Sequence, residues 1–93
     1  MQELEVFYLT GCPYCRNARK AVEELMAENL SYAALSLRWI EERQEPALAD
    51  SRDYYYVPAI YCRGRKLYEA RRSDGFDVIK AHFQAAFDQA LSE

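Results

Sequence analysis

The sequence is poor in the residues that mark specialised chains. Its 93 residues include three Cys, one His, one Trp, three Gly and three Pro. Three cysteines are too few, and odd in number, for a disulfide-stapled secreted scaffold. No apolar run approaches the ~18 residues of a membrane span, and the opening residues Met1-Gln2-Glu3-Leu4-Glu5 lack the basic start of a secretory signal. We therefore expect a cytoplasmic protein with no membrane partner.

The charge balance excludes a general attraction to polyanions. Twelve basic and fifteen acidic residues give a net charge of −3, so nucleic acid is not an expected partner. A hydrophobic content of 51% with 29% charged residues is typical of a globular chain, and the length predicts a single domain over residues 1–93. A local basic run is either a solvated hairpin and loop or an anion-facing surface beside a groove; it comprises Arg63, Arg65, Lys66, Arg71 and Arg72.

The spacing of the apolar residues, together with the turn and capping residues between segments, predicts the element order βαβαββα. The predicted strands cover residues 4–9, 31–37, 57–62 and 66–69. The predicted helices cover residues 13–29, a short segment beginning at Pro46, and a final segment capped by Ser73 or Asp74. A helix joins the first two strands, which should therefore be parallel, and the last two should form a hairpin. The pattern predicts an α/β fold with a four-stranded mixed sheet flanked by three helices.

Two cysteines lie where the first predicted strand ends and the first predicted helix begins. Cys12 falls at the helix N-terminus, where free N–H groups and the helix dipole favour a thiolate, so we expect Cys12 to be nucleophilic at neutral pH. Cys15 is close enough to form a disulfide with it and should be more buried. The pair predicts a cycle in which Cys12 attacks a substrate disulfide and Cys15 resolves the mixed disulfide.

A metal site is the competing interpretation of the same spacing. A structural zinc needs about four ligands, and only Cys62 and His82 remain, on other elements. We therefore predict no metal ligands. An iron–sulfur or metal carrier using Cys12 in a dimer stays open, although Pro13 stiffens the loop, and so does a binding module without enzymatic activity.

The cysteine motif resembles a known family. Cys12-Pro13-Tyr14-Cys15 is similar, residue for residue, to the motif of dithiol glutaredoxins in the thioredoxin superfamily, and Val57-Pro58 resembles the family's cis-proline signature. The resemblance covers the chain in element order. It implies a thioredoxin-like, glutaredoxin-type fold and a thiol–disulfide oxidoreductase with no bound cofactor. It also implies glutathione as a co-substrate, with disulfide-containing proteins or glutathione mixed disulfides as partners.

The resemblance also implies substrate-binding residues. Val57 would pair its backbone with the substrate, and Ser73 with Asp74 would hold the γ-glutamyl group of glutathione. The full implied set is Tyr14, Tyr56, Val57, Pro58, Ser73 and Asp74. The chain has Tyr8, Leu9 and Thr10 where the family usually has a lysine, and it lacks the family's double glycine. The electron donor is therefore open between glutathione and a thioredoxin reductase.

The remaining candidates are expected to have structural roles. Among Tyr54, Tyr55 and Tyr56 side chains alternate, so one or two should be exposed beside Cys12, either anchoring the loop or forming an aromatic wall of the substrate groove. Cys62 should be a buried, inert thiol, with a secondary oxidation site as the alternative. Structural roles are expected for His82, Tyr8 and Trp39.

Overall fold

A computed structural model describes residues 3–92 of the protein. In chain order its elements are β1 (Glu3–Tyr8), α1 (Pro13–Glu28), α2 (Leu30–Ala33), β2 (Ser36–Glu41), α3 (Pro46–Asp50), β3 (Ala59–Cys62), β4 (Arg65–Glu69) and α4 (Phe76–Ser92). Within these residues, no helix has both the length and the apolar character that crossing a membrane requires.

The four strands form one mixed sheet in the order β2-β1-β3-β4. β1 runs parallel to β2 and antiparallel to β3, and β4 is antiparallel to β3. The hairpin turn has Arg63 at φ 55° and Gly64 at φ 79°, the left-handed pair that matches the twist of a two-residue β-hairpin. The predicted α/β fold, the mixed four-stranded sheet and the final hairpin are confirmed.

The core lies on both faces of the sheet. Val6 belongs to the larger cluster, with residues of α1 and α4, whereas its neighbour Phe7 belongs to a second cluster with Ala49 of α3. The side chains of Val6 and Phe7 are both fully buried, as expected for a central strand covered on both sides. The sheet therefore has α1 and α4 on one face and α3 on the other.

The second predicted strand, over residues 31–37, was wrong. The chain forms the short helix α2 there, and β2 follows at Ser36–Glu41, so four helices flank the sheet instead of three. The Asn29 side chain accepts a hydrogen bond from the N–H of Ser31 at 2.8 Å and caps the turn. Tyr32 and Leu35, three residues apart, then face the core. Capping and helical spacing thus outweigh the alternation of apolar residues.

The predicted cap of the last helix was also wrong. α4 begins at Phe76, and the carbonyl of Gly75 accepts from the N–H of Ile79 at 3.0 Å. Neither Ser73 nor Asp74 adjoins the first helical residue. Asp74 instead closes the turn before the helix, because its N–H donates to the carbonyl of Arg71 at 2.9 Å.

Candidate active site

Cys12 is the N-cap residue of α1. After β1 the chain turns at Gly11, which has φ 88°, and the N–H of Cys12 donates to the carbonyl of Leu9 at 3.3 Å. Pro13 occupies the first helical turn, and Cys12 Sγ accepts from the N–H of Cys15 at 3.3 Å. The sulfur therefore takes the place of the side-chain oxygen of an ordinary N-cap, at the positive end of the helix dipole.

Cys12 and Cys15 differ sharply in their surroundings. Cys12 is half-buried and Cys15 is 4% exposed, and both are free thiols. Burial, a hydrogen bond to Cys12 and the charges of Cys12 and Glu42 raise the pKa of Cys15 to about 12. At neutral pH the inner thiol keeps its proton. The pair thus combines an accessible sulfur at a helix N-terminus with a protonated sulfur behind it.

The tyrosine loop, residues 54–58, lies against Cys12. The Cys12 thiol donates to the carbonyl oxygen of Val57, with Sγ 4.0 Å from it. The Val57–Pro58 peptide bond is cis, as the resemblance implied, and Pro58 is buried. The backbone of Val57 is therefore beside the sulfur of the half-buried Cys12.

The three tyrosines of the loop separate into one packed ring and two exposed rings. Tyr54 lies 5.3 Å from Phe7 between ring centroids, whereas Tyr55 is 87% and Tyr56 54% exposed. The prediction that one or two would be exposed is confirmed. Burial, with the charge of Glu42, raises the pKa of Tyr54 to about 12.

Glu69, which sequence reasoning missed, holds the tyrosine loop. Its Oε2 accepts from the N–H groups of Tyr55 at 2.7 Å and Tyr56 at 2.8 Å, and its Oε1 accepts from Lys66 Nζ at 2.8 Å. Burial alone would raise the pKa of Glu69, but these donors lower it below its ordinary value. The sequence gives no local signal for this contact, because strand pairing places Glu69 opposite Ala59.

Glu41 holds the other side of the site in the same way, and sequence reasoning missed it too. Its nearly buried carboxylate accepts from the N–H of Arg43 at 2.7 Å, the N–H of Thr10 at 3.1 Å and the Arg43 guanidinium at 3.0 Å. These bonds, the one from the Arg43 N–H foremost, lower the pKa of Glu41 to about 2. Thr10 lies just before the turn that leads to Cys12. The sequence gives no local signal for this contact, because Thr10 and Glu41 are 31 positions apart.

Tyr14 ties the cysteine helix to the loop after β4. Its hydroxyl donates to the carbonyl of Arg72. In that loop Asp74 Oδ2 accepts from the Tyr68 hydroxyl at 2.6 Å and the Arg71 N–H at 3.0 Å, and the Tyr68 bond leads in lowering the pKa of Asp74. Ser73 is exposed. The structure thus gathers Cys12, Cys15, Val57 and Pro58, with Tyr14 linking them to the loop of Ser73 and Asp74.

The other sequence candidates lie outside this cluster of contacts. His82 is exposed and stacks on Tyr68 with centroids 4.4 Å apart, and Cys62 is 1% exposed. Tyr8 and Trp39 make an edge contact at 6.0 Å, in line with packing roles. Among residues 3–92, no group of three or more His, Cys, Asp or Glu side chains is placed to hold a metal ion.

No protein-family model and no curated protein matches the sequence. Solved structures do match in three dimensions. A malarial protein is 13% identical with a TM-score of 0.63, over 91% of this chain and 96% of its own. Thioredoxin 1 from the thermophilic eubacterium Thermosipho africanus TCF52B is 10% identical with a TM-score of 0.60, over 95% of this chain and 97% of its own. At such low identity the likeness shows the fold alone, and the protein has a thioredoxin-like fold.

Proposed function

We propose that the protein is a thiol–disulfide oxidoreductase that reduces disulfides through a Cys12–Cys15 dithiol/disulfide cycle. The observation that carries the proposal is the pairing of a half-buried N-cap thiol with a buried thiol hydrogen-bonded to it. The thioredoxin-like fold supports it, because one of the structural neighbours is a thioredoxin and a Cys-x-x-Cys pair beside a βαβ unit is typical of thioredoxin-like redox sites.

The first half of the cycle belongs to Cys12. Its thiolate attacks one sulfur of the substrate disulfide, a Cys12–substrate disulfide forms, and the other substrate sulfur leaves as a thiolate. The N–H of Cys15, which donates to Sγ, and the positive end of the helix dipole stabilise the negative charge before the attack. The carbonyl of Val57 lies next to the same sulfur and offers a backbone acceptor to the bound chain.

The second half belongs to Cys15. Two of the causes that raise its pKa, the hydrogen bond and the charge, come from Cys12 itself. Both weaken once Cys12 carries the substrate, so Cys15 gives up its proton more readily at that stage. Its thiolate then attacks Cys12 Sγ, the Cys12–Cys15 disulfide forms, and the substrate leaves as a thiolate that takes a proton. Two electrons have passed to the substrate, and an external thiol reductant must reopen the disulfide.

A glutaredoxin-type assignment extends this proposal. Glutathione would be the co-substrate, glutathione mixed disulfides and protein disulfides the partners, and the cytoplasm the compartment. Tyr14, Tyr56, Val57 and Pro58 would contact the substrate, with Ser73 and Asp74 at the γ-glutamyl group. One observation favours a thioredoxin reductase as donor instead: the Asp74 carboxylate is already engaged by Tyr68 and the Arg71 N–H.

A coupled assay tests the proposal. NADPH consumption is followed with glutathione plus glutathione reductase in one arm and thioredoxin reductase in the other, and the faster arm identifies the donor. We expect Cys12→Ser to abolish turnover, Cys15→Ser to accumulate mixed disulfides with protein substrates, and Cys62→Ala to keep turnover. Full activity in Cys12→Ser would refute the proposal. The metal content of anaerobically purified protein tests the competing carrier function.

A further inference from the structure

The turn between β1 and α1 is held by an ion pair at the end of the neighbouring strand. Thr10 lies in this turn; its N–H donates to Glu41 Oε2 at 3.1 Å, and its carbonyl accepts from the Arg43 guanidinium at 3.4 Å. The same guanidinium lies 3.0 Å from Glu41 Oε2. Both backbone groups of one residue are therefore fixed by one acid and one base, which we call the Glu41–Arg43 pair.

The two members of the pair differ in burial. The Glu41 side chain is 4% exposed, whereas that of Arg43 is 66% exposed. Glu41 also accepts from the N–H of Arg43 at 2.7 Å, so its carboxylate has a backbone donor on both sides, and charged acceptors form the stronger hydrogen bonds. Replacing the Arg43 side chain therefore loosens the turn without opening the core.

The turn contacts both cysteines through Leu9, the residue before Thr10. The carbonyl of Leu9 accepts from the N–H of Cys12 at 3.3 Å. Burial raises the pKa of Cys15 most, and a backbone hydrogen bond from Leu9 acts against it by lowering that pKa. Cys12 Sγ instead has its donor within α1, the N–H of Cys15 at 3.3 Å. The resolving sulfur thus depends on the turn, and the attacking sulfur depends on the helix.

We infer that Glu41 and Arg43 are positioning residues for Cys15, because by fixing Thr10 they hold Leu9 where its backbone bonds to the resolving thiol. The kinetic consequence rests on the proposed function. In the resolving step the Cys15 thiol loses its proton, its sulfur attacks Cys12 Sγ, and the substrate leaves as a thiolate. Loss of the pair should slow this step and leave the first attack by Cys12 nearly unchanged.

Two variants remove the pair, and a third is the matched control. Arg43→Gln removes the donor to the Thr10 carbonyl, and Glu41→Gln removes the charged acceptor of the Thr10 N–H. Arg38→Gln breaks another 3.0 Å ion pair, between Arg38 on β2 and Glu45. It removes the same charge as Arg43→Gln from the same part of the sheet, but its partner lies outside the turn.

Stopped-flow kinetics separate the two steps. A symmetrical aromatic disulfide that releases coloured thiols is mixed with excess reduced protein. The first thiol leaves when Cys12 attacks, at a rate proportional to protein concentration, and the second leaves when Cys15 attacks, at a rate independent of it. We expect the second rate to fall about tenfold in Arg43→Gln and Glu41→Gln, the equivalent of one hydrogen bond, with the first rate within about twofold.

The control Arg38→Gln should match the unmodified protein in both rates. Equal losses in the two steps would show a general disturbance of the site, and an unchanged second rate would show that the turn does not act on Cys15. Either result would overturn the inference.

A titration that needs no redox activity separates this inference from the proposed function. Carbon-13 NMR follows Cys15 Cβ in protein carrying Cys12→Ala, alone and combined with each of the three substitutions. We expect Arg43→Gln and Glu41→Gln both to raise the pKa of Cys15, although they remove charges of opposite sign. A charge effect alone would raise it in the first and lower it in the second; that result, or unchanged values in both, would overturn the inference. Raised values in a protein that reduces no disulfide would support the positioning role and refute the oxidoreductase alone.

Discussion

Replacing Cys12 by Ala should lower the pKa of the resolving thiol without restoring it to an ordinary value. The pKa of Cys15 stands at about 12 against an ordinary 9.0, with burial as the largest cause and Cys12 supplying both a hydrogen bond and a charge. The substitution removes the two contributions of Cys12 and leaves burial in place. We therefore expect a pKa between these two values in the variant.

The difference between the two values sets the reactivity of Cys15. A pKa of about 12 leaves ~10⁻⁵ of the thiol ionised at pH 7, whereas 9.0 leaves ~10⁻². Such a thiol is nearly inert toward disulfides in solution. A neighbouring sulfur held in place experiences effective molarities of ~10⁵–10⁸ M, which offsets the low thiolate fraction. Cys15 should therefore react with Cys12 in the mixed disulfide and with little else.

Carbon-13 NMR of labelled cysteine measures this directly. The Cβ shift of Cys15 is followed from neutral to strongly alkaline pH in the reduced protein, in Cys12→Ala, and in protein alkylated at Cys12. We expect an incomplete titration in the first sample and earlier midpoints in the other two. A midpoint at or below 9.0 in the reduced protein would show that burial does not control this thiol. Identical midpoints in all three samples would show that Cys12 does not.

Three further substitutions test the surroundings of the cysteines. Glu69→Gln removes the charge that holds the tyrosine loop; the KM for a peptide disulfide should rise with little change in kcat, and a fall in kcat alone would contradict this. The pKa of Glu41 is about 2 against an ordinary 4.5, so the stability that this carboxylate contributes is present above pH 4.5 and is lost as the pH falls toward 2. The melting temperature should therefore fall less between pH 7 and pH 3 in Glu41→Gln than in the unmodified protein, whereas the exposed control Glu23→Gln should show the same fall as the unmodified protein. Tyr54→Phe removes a buried hydroxyl that has no hydrogen-bond partner in the described part of the chain, so the free energy of unfolding measured in urea should rise by about 1 kcal/mol. Tyr61→Phe is the control: it removes a hydroxyl that donates to a backbone carbonyl, so the free energy of unfolding should fall by about 1 kcal/mol.

Local sequence patterns were sufficient to predict the helices and strands whose own apolar residues show which of their faces are buried. The apolar stripe of α1 and the proline at its start predicted Pro13–Glu28 closely, and β1 was readable because both of its faces are buried. The strand prediction for the segment after α1 failed because the apolar residues at 30–35 fit both the alternation of a strand and the spacing of a helix. Asn29 decided the outcome through one capping hydrogen bond, and the apolar pattern does not include that bond.

The residues of the candidate site likewise fall into those that the sequence predicted and those that it did not. The cysteine pair and Val57-Pro58 were readable because their chemistry lies in short motifs. Glu69 and Glu41 were not, since each reaches its partners through strand pairing: Glu69 accepts from Tyr56 across 13 positions and Glu41 from Thr10 across 31. A single sequence carries no sign of which loop a distant carboxylate will meet.

A shared physical feature explains why carboxylates recur around this site. Each loop near Cys12 leaves backbone N–H groups outside any strand or helix, and such donors need an acceptor. Glu41, Glu69 and Asp74 each satisfy at least one of them, and charged acceptors form the stronger bonds. All three pKa values are lowered, so each contact is most stable with its carboxylate ionised and weakens as acid protonates it. The loops are therefore fixed most firmly at the neutral pH at which the proposed thiolate chemistry operates.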